Sequence, residues 1–215
     1  MNHKKIQRIK NKYNLMTKIR RKDPYRAIMK KTQEHRTFPN ILNRKFLQPL
    51  PFKVFCTDIT YMFFNNHVAY FSVVKDIASG EIVAWNLTMH LAMDLVLNTV
   101  LDMRNNQNII SLKDILIHSD QGFHYTNPDY ISKIKKLDMI QSMSRKGNCI
   151  DNSPMETFFG HFKDEVDYKN CKTFEELTNL VQEYIHYYNH ERQQWELKKM
   201  TPVDYRNHLL LATNQ

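Results

Sequence analysis

Residues 52–64 read FKVFCTDITYMFF, and the charge in the middle of that run decides how the rest of the chain is read. Apolar, β-branched and aromatic side chains occupy both alternating positions, the pattern of a central strand covered on both faces. Asp58 interrupts it. A carboxylate in such a place is costly unless it is hydrogen-bonded, paired or bound to a metal. Asp58 is therefore either a buried aspartate capping a neighbouring turn or part of a site. Downstream, HVAYFSVVKD (67–76) and EIVAWNLTMH (81–90) read as two more strands, with the turn between them at DIASG (76–80). Three strands in close succession predict an antiparallel meander.

Beyond the meander the period changes. LAMDLVLNTVLDMRNN (91–106) has apolar residues at 91, 95, 96, 97, 100, 101 and 103, a helical stripe. DILIHSD (114–120) is a short buried strand, and NPDYISKIKKL (127–137) a helix with Asn127 at its N-cap. MIQSMS (139–144) is a further strand, followed by the loop RKGNCIDN (145–152). SPMETFFGHFKDEV (153–166) and TFEELTNLVQEYIHYYNHER (173–192) are helices. The order β-β-β-α-β-α-β-α-α is the one expected of a ribonuclease-H-like fold, a mixed five-stranded sheet with helices on both faces.

Charge divides the chain in two. Residues 1–50 hold 15 Lys/Arg against 2 Asp/Glu, a net of +13, whereas residues 51–215 hold 16 against 20, a net of −4. The first part is a basic arm with a short helix over 3–15, broken by Pro24 and Pro39 and extended over 20–50; the second is the folded domain. Lys4, Lys5, Arg8, Lys10, Arg20, Arg21 and Lys22 are what a phosphate-facing surface requires, because each neutralised phosphate releases counterions. The plainer alternative for the arm is a solvated tail. Cys56, Cys149 and Cys171 are odd in number and far apart, which argues against disulfides or a cysteine zinc site and fits a reducing cytosol. His186 and His190, four apart, lack the neighbours of a zinc site. No apolar run approaches the roughly 18 residues of a membrane span, and no apolar segment follows the charged N-terminus as a secretory signal would require.

Two more acids join Asp58. Asp120 ends the strand DILIHSD, where α/β sheets present ligand-facing groups, although an aspartate before Gln-Gly also makes a turn. Glu156 opens a helix, and Ser153-Pro154-Met155-Glu156 fits a capping box with Ser153 at N-cap. Three carboxylates from three elements are what divalent-metal phosphoryl chemistry needs, with hard oxygen ligands around two ions about 3.5–4 Å apart.

The wording around these acids resembles a known family. TDITY (57–61), HSDQGFHY (118–125) and GNCIDNSPMETFFGHFKDE (147–165) are similar to the three catalytic signatures of OrfB-type insertion-sequence transposases, which carry a retroviral-integrase-like core. The 35 residues between Asp120 and Glu156 match that family's spacing, and EYIHYYNHERQQWELKKMTPVDYR (183–206) resembles its closing helix and tail. The resemblance covers roughly residues 50–207 and implies that Asp58, Asp120 and Glu156 hold Mg²⁺ or Mn²⁺. It also implies a DNA-contacting role for Lys163. Seven residues after Glu156, Lys163 returns to nearly the same helix face. Phe158, Phe162 and Val166 then form the buried stripe, and Gly160 leaves room for DNA on the Glu156–Lys163 face.

By that resemblance the chain is a bacterial, nucleoid-associated cytoplasmic enzyme. It would free a 3′-hydroxyl at an element end and transfer it to another strand. The implied partners are DNA (element ends and target), further copies of the chain as a homo-oligomer, and an upstream OrfA-type protein. Family members begin with more helix before the segment that NHKKIQRIKNKYNL (2–15) resembles, so the arm reads as the last helix of a helix-turn-helix-like module. Two alternatives stand beside this reading: a nuclease of the same fold that only hydrolyses, and a truncated DNA-binding relic that interferes with intact transposase.

Overall fold

A computed structural model describes residues 2–13, 15 and 37–213. The chain divides into two compact units, residues 1–34 and 35–215. In the first, α1 (His3–Lys12) is capped by Asn2, whose Oδ1 accepts from the Lys4 amide at 3.0 Å, and buries none of its residues. Lys4, Lys5, Arg8 and Lys10 all lie on it, and it ends three residues short of the expected 3–15. Arg20, Arg21 and Lys22 fall outside the described residues.

The second unit is built on the expected five strands: β1 (Val54–Phe64), β2 (His67–Asp76), β3 (Ile82–Thr88), β4 (Leu116–Ser119) and β5 (Ile140–Met143). They lie in the order β3-β2-β1-β4-β5. The first three form the antiparallel meander, and β4 and β5 run parallel to β1. The turn at 76–80 is held by Asp76, whose carboxylate accepts from the Ser79 amide, the Ser79 hydroxyl and the Phe52 amide. Burial raises the pKa of Asp76, and these hydrogen bonds pull it back.

Side-chain alternation along β1 sorts the core into two layers. Val54, Cys56, Met62 and Phe64 join Phe71, Val73 and Leu116 against α5 (Ser153–Glu165) and α6 (Phe174–His190). Phe55 joins Val74, Ile115 and Ile117 against α2 (Met93–Asn105) and α4 (Pro128–Lys136). A one-turn α3 (Phe123–Thr126) precedes α4, and Asn127 caps α4 as expected, its Oδ1 accepting from the Asp129 amide at 2.8 Å. The stripe on α2 buries Leu95, Val96, Val100 and Met103. On α5, Phe158 and Phe162 are fully buried. Val166 is only half-buried and lies past the helix end, because the backbone turns extended there.

Three features depart from the expectations. Residues 37–50, read as extended linker, are held on the core: Leu42 is buried, and the Ile41 and Leu42 amides donate to Ser142 Oγ. The capping box at Ser153 does not form. Ser153 is already helical (φ −56°, ψ −32°), Asn152 is the N-cap, and no side chain caps the helix. Finally, α7 (Pro202–Thr213) was not expected as a separate helix, although Thr201 marks its start by accepting from the Asp204 amide at 3.2 Å.

Candidate active site

Asp58 is an even-numbered β1 residue, so it shares the α5 and α6 face with Cys56 and Met62, and it is 7% exposed. The parallel register sets Cys56 opposite His118 on β4. Asp58 lies two residues past Cys56 on β1, and Asp120 two residues past His118, just after β4 ends. Both aspartates therefore lie just beyond the paired stretch of β1 and β4. Both act on the buried phenol of Tyr125, whose pKa is raised well above its ordinary value by burial first and by each aspartate in addition.

Local amides orient each carboxylate. Asp58 Oδ1 accepts from the Ile59 amide at 2.8 Å. Asp120 Oδ1 accepts from the Gly122 amide at 2.8 Å, so the turn role allowed by the sequence is present at this carboxylate. A Cβ on residue 122 would stand 2.8 Å from that oxygen, so any larger residue there would displace the Asp120 carboxylate.

The third acid arrives on α5. Asn152, at the start of this helix, donates to the Thr57 carbonyl at 3.5 Å, and Lys163, near its end, donates to the Thr60 hydroxyl. The helix is therefore held to β1 near both its ends, and Glu156 lies between the two contacts. Glu156 is exposed, and with the capping box absent its carboxylate has no hydrogen-bond partner among the described residues. Among the described residues no three His, Cys, Asp or Glu side chains stand close enough to share one ion. Asp58 and Asp120 thus both act on Tyr125, Glu156 lies on the helix held to β1, and the three form no closed cluster among the described residues. His186 and His190 stack at 4.7 Å and belong to no such cluster either.

Two supporting groups were not legible as such in the sequence. His118, beneath Asp120, is fully buried. Ser142 Oγ already accepts from two amides, so its hydroxyl proton goes to His118 Nδ1 at 2.9 Å, and Nε2–H donates to Ser144 Oγ at 3.1 Å. The ring is neutral, and burial lowers its pKa to about 4. Asp151, expected as a loop residue, is also fully buried. It accepts from the Arg145 guanidinium twice, the Arg145 amide, Arg44 Nε and Asn40 Nδ2. The Arg145 hydrogen bonds hold its carboxyl well below the usual carboxylate range. The signal available was an aspartate flanked in sequence by RKGN, but its second arginine lies 107 positions away.

A mixed sheet of this order, with one acid inside β1 and another just past the end of the neighbouring parallel β4, has the form of an integrase-type core. Residues 48–149 and 156–210 match models described as integrase core domain. An uncharacterized transposase-like protein of Haemophilus influenzae is 37% identical over 98% of this chain and 95% of its own length. The putative transposase InsK of insertion sequence IS150 in Escherichia coli K12 is 35% identical over 96% of this chain and 72% of its own length. The chain belongs to the OrfB-type insertion-sequence transposases. Among solved structures, the HTLV-2 integrase catalytic core domain in complex with magnesium superposes with a TM-score of 0.55 at 13% identity, covering 73% of this chain and 97% of that one. A chain of the simian T-cell lymphotropic virus intasome gives 0.60 at 16% identity, covering 84% and 62% respectively. At such identities the likeness concerns the fold.

Proposed function

We propose that the chain cuts DNA at the ends of an insertion sequence and joins the freed 3′-hydroxyl to another strand, using Asp58, Asp120 and Glu156 around Mg²⁺ or Mn²⁺. What supports the reading is that Asp58 and Asp120 follow the Cys56–His118 pair by two residues each and both act on the buried Tyr125 phenol. The donor chemistry fits, since carboxylate oxygens are the hard ligands such ions take. When bound, a divalent ion at this place supplies Lewis acidity and lowers the pKa of an attacking water or hydroxyl. The protein's part is orientation. The Ile59 and Gly122 amides fix the two aspartates, and Asn152 and Lys163 fix α5 against β1 so that Glu156 can complete the set. Lys163, two turns from Glu156, is in this reading the helix residue that meets a phosphate of the DNA.

The basic arm, residues 1–50, is the DNA-gripping part in this reading and residues 51–215 the catalytic part, with Lys4, Lys5, Arg8 and Lys10 on α1 and Arg20, Arg21 and Lys22 beyond it facing phosphates. Joining two ends requires holding two ends, so a homo-oligomer on DNA is expected, together with an upstream OrfA-type protein. The test uses purified protein, labelled element-end DNA and Mg²⁺ or Mn²⁺. Strand-transfer product, and a metal-dependent rise in melting temperature, are expected for the parent. Both should be lost in Asp58→Asn and Asp120→Asn. Cleavage by either variant at near the parent rate rejects the assignment; hydrolysis without transfer leaves a nuclease.

A further inference from the structure

Asp151 gathers two guanidiniums at the mouth of the loop that leads into α5. Arg145 binds it through Nε and Nη2, both at 2.8 Å, and Arg44 through Nε at 2.7 Å, with Arg44 Nη2 also donating to Asn148 Oδ1 at 3.0 Å. The carboxylate is fully buried, yet the side chains of Arg44 and Arg145 stay 40% and 53% exposed. Nη1 of each has no partner among the described residues. Lys146 beside them is exposed and makes no ion pair there. Three cations against one carboxylate leave a net of +2 at this spot, in a domain whose overall balance is −4 from residue 51 on.

The backbone is also strained to build it. Asn43 (φ 44°) and Arg44 (φ 61°) are consecutive non-glycine residues in the left-handed region, a conformation that persists only where surrounding contacts enforce it. The loop is anchored beside Asp120: the Ser144 amide donates to the Ser119 carbonyl at 2.9 Å, and Gln121 Nε2 to the Ser144 carbonyl at 3.0 Å.

We infer that Arg44, Arg145 and Lys146 form a preorganised phosphate site that holds the DNA backbone at the edge of the carboxylate site. A guanidinium locked on one edge by a carboxylate presents its remaining N–H groups in a fixed fork, the geometry that phosphate oxygens accept. Asp151 is the positioning residue: it spends no charge on the ligand and sets where the two forks point. The inference rests on the chain's acting on DNA, as proposed above, and adds a contact outside the arm and α5.

The test measures binding of the full chain to a mixed-sequence DNA duplex by fluorescence anisotropy across a salt series, without divalent ions. Each phosphate contact contributes about 0.9 to the slope of log affinity against log salt. Arg145→Gln and Lys146→Gln should each reduce the slope by about 1, and the Arg44→Gln/Arg145→Gln pair by about 2. Arg145→Lys should keep it. Asp151→Asn, which leaves every cation in place, should lower the melting temperature and keep the slope. If the arginines only brace the loop, Arg145→Gln and Asp151→Asn will instead behave alike, both less stable with the parent slope, and the inference falls. Should Arg145→Gln fail to fold, Lys146→Gln decides alone, since that side chain is exposed and unpaired. The readout is independent of cleavage: a reduced slope in a chain that never cuts DNA removes the catalytic reading only, and an unchanged slope in an active one removes this inference only.

Discussion

Replacing Asp151 with asparagine keeps the shape of a fully buried side chain and changes what five hydrogen bonds meet. One oxygen becomes an NH₂ group and faces donors from Arg44, Arg145 or Asn40, so at least two of the five contacts become donor against donor. Breaking a buried ion pair by removing one partner costs about 3–5 kcal/mol. Here the arginines are 40% and 53% exposed and recover water, so the loss falls to about 2–3 kcal/mol once that solvation is discounted. Urea unfolding at pH 7 measures it; with a slope of about 2 kcal/mol/M, the midpoint should drop by about 1 M. The pH dependence follows from the sign of the shift. The folded pKa lies below the ordinary 3.8, so the stabilisation is complete above 3.8 and is lost as pH falls below that value toward the folded one. The gap between parent and variant should therefore be constant from pH 7 to 5 and shrink below about 4. A variant within 0.5 kcal/mol of the parent at pH 7, or a gap that widens on acidification, refutes the role given to this carboxylate.

Glu156 and Ser153 give a second contrast. Glu156→Gln should unfold within about 0.5 kcal/mol of the parent, because the side chain is exposed and unpaired, while strand transfer falls by orders of magnitude. Ser153→Ala should leave both properties unchanged, because Ser153 caps nothing; a stability loss of about 1 kcal/mol would restore the capping box. Gly122→Ala pushes a Cβ to 2.8 Å from Asp120 Oδ1, so it should weaken the metal-dependent thermal shift while leaving the melting temperature of the metal-free protein within a few degrees. An unaltered metal response would mean that this carboxylate's placement does not matter for metal binding.

What the sequence determined by itself is whatever depends on neighbours a few residues apart. The doubly apolar run around Asp58, the meander, the Asn127 cap and the apolar stripe on 91–106 are local periodicities, and each element formed where its pattern lay. The words around Asp58, Asp120 and Glu156 were enough to place the chain among transposases, because a family signature is also a local string. Tertiary structure decided the rest. No pattern in 54–64 states that β4 will run parallel beside it with Cys56 opposite His118, yet that register sets where Asp58 and Asp120 leave the paired stretch. Ser153 carries every local mark of an N-cap, but the 3₁₀ turn at Cys149–Asn152, with Asp151 held by Arg145 and Arg44, brings the chain into the helix one residue earlier. Residues 37–50 have a linker's composition and still lie on the core, because Leu42 finds an apolar layer and the amides of Ile41 and Leu42 find Ser142. Asp151 was the hardest to foresee. Its burial is tolerable only because a guanidinium from 107 positions away arrives beside that of Arg145, and a partner so distant leaves no trace in local sequence.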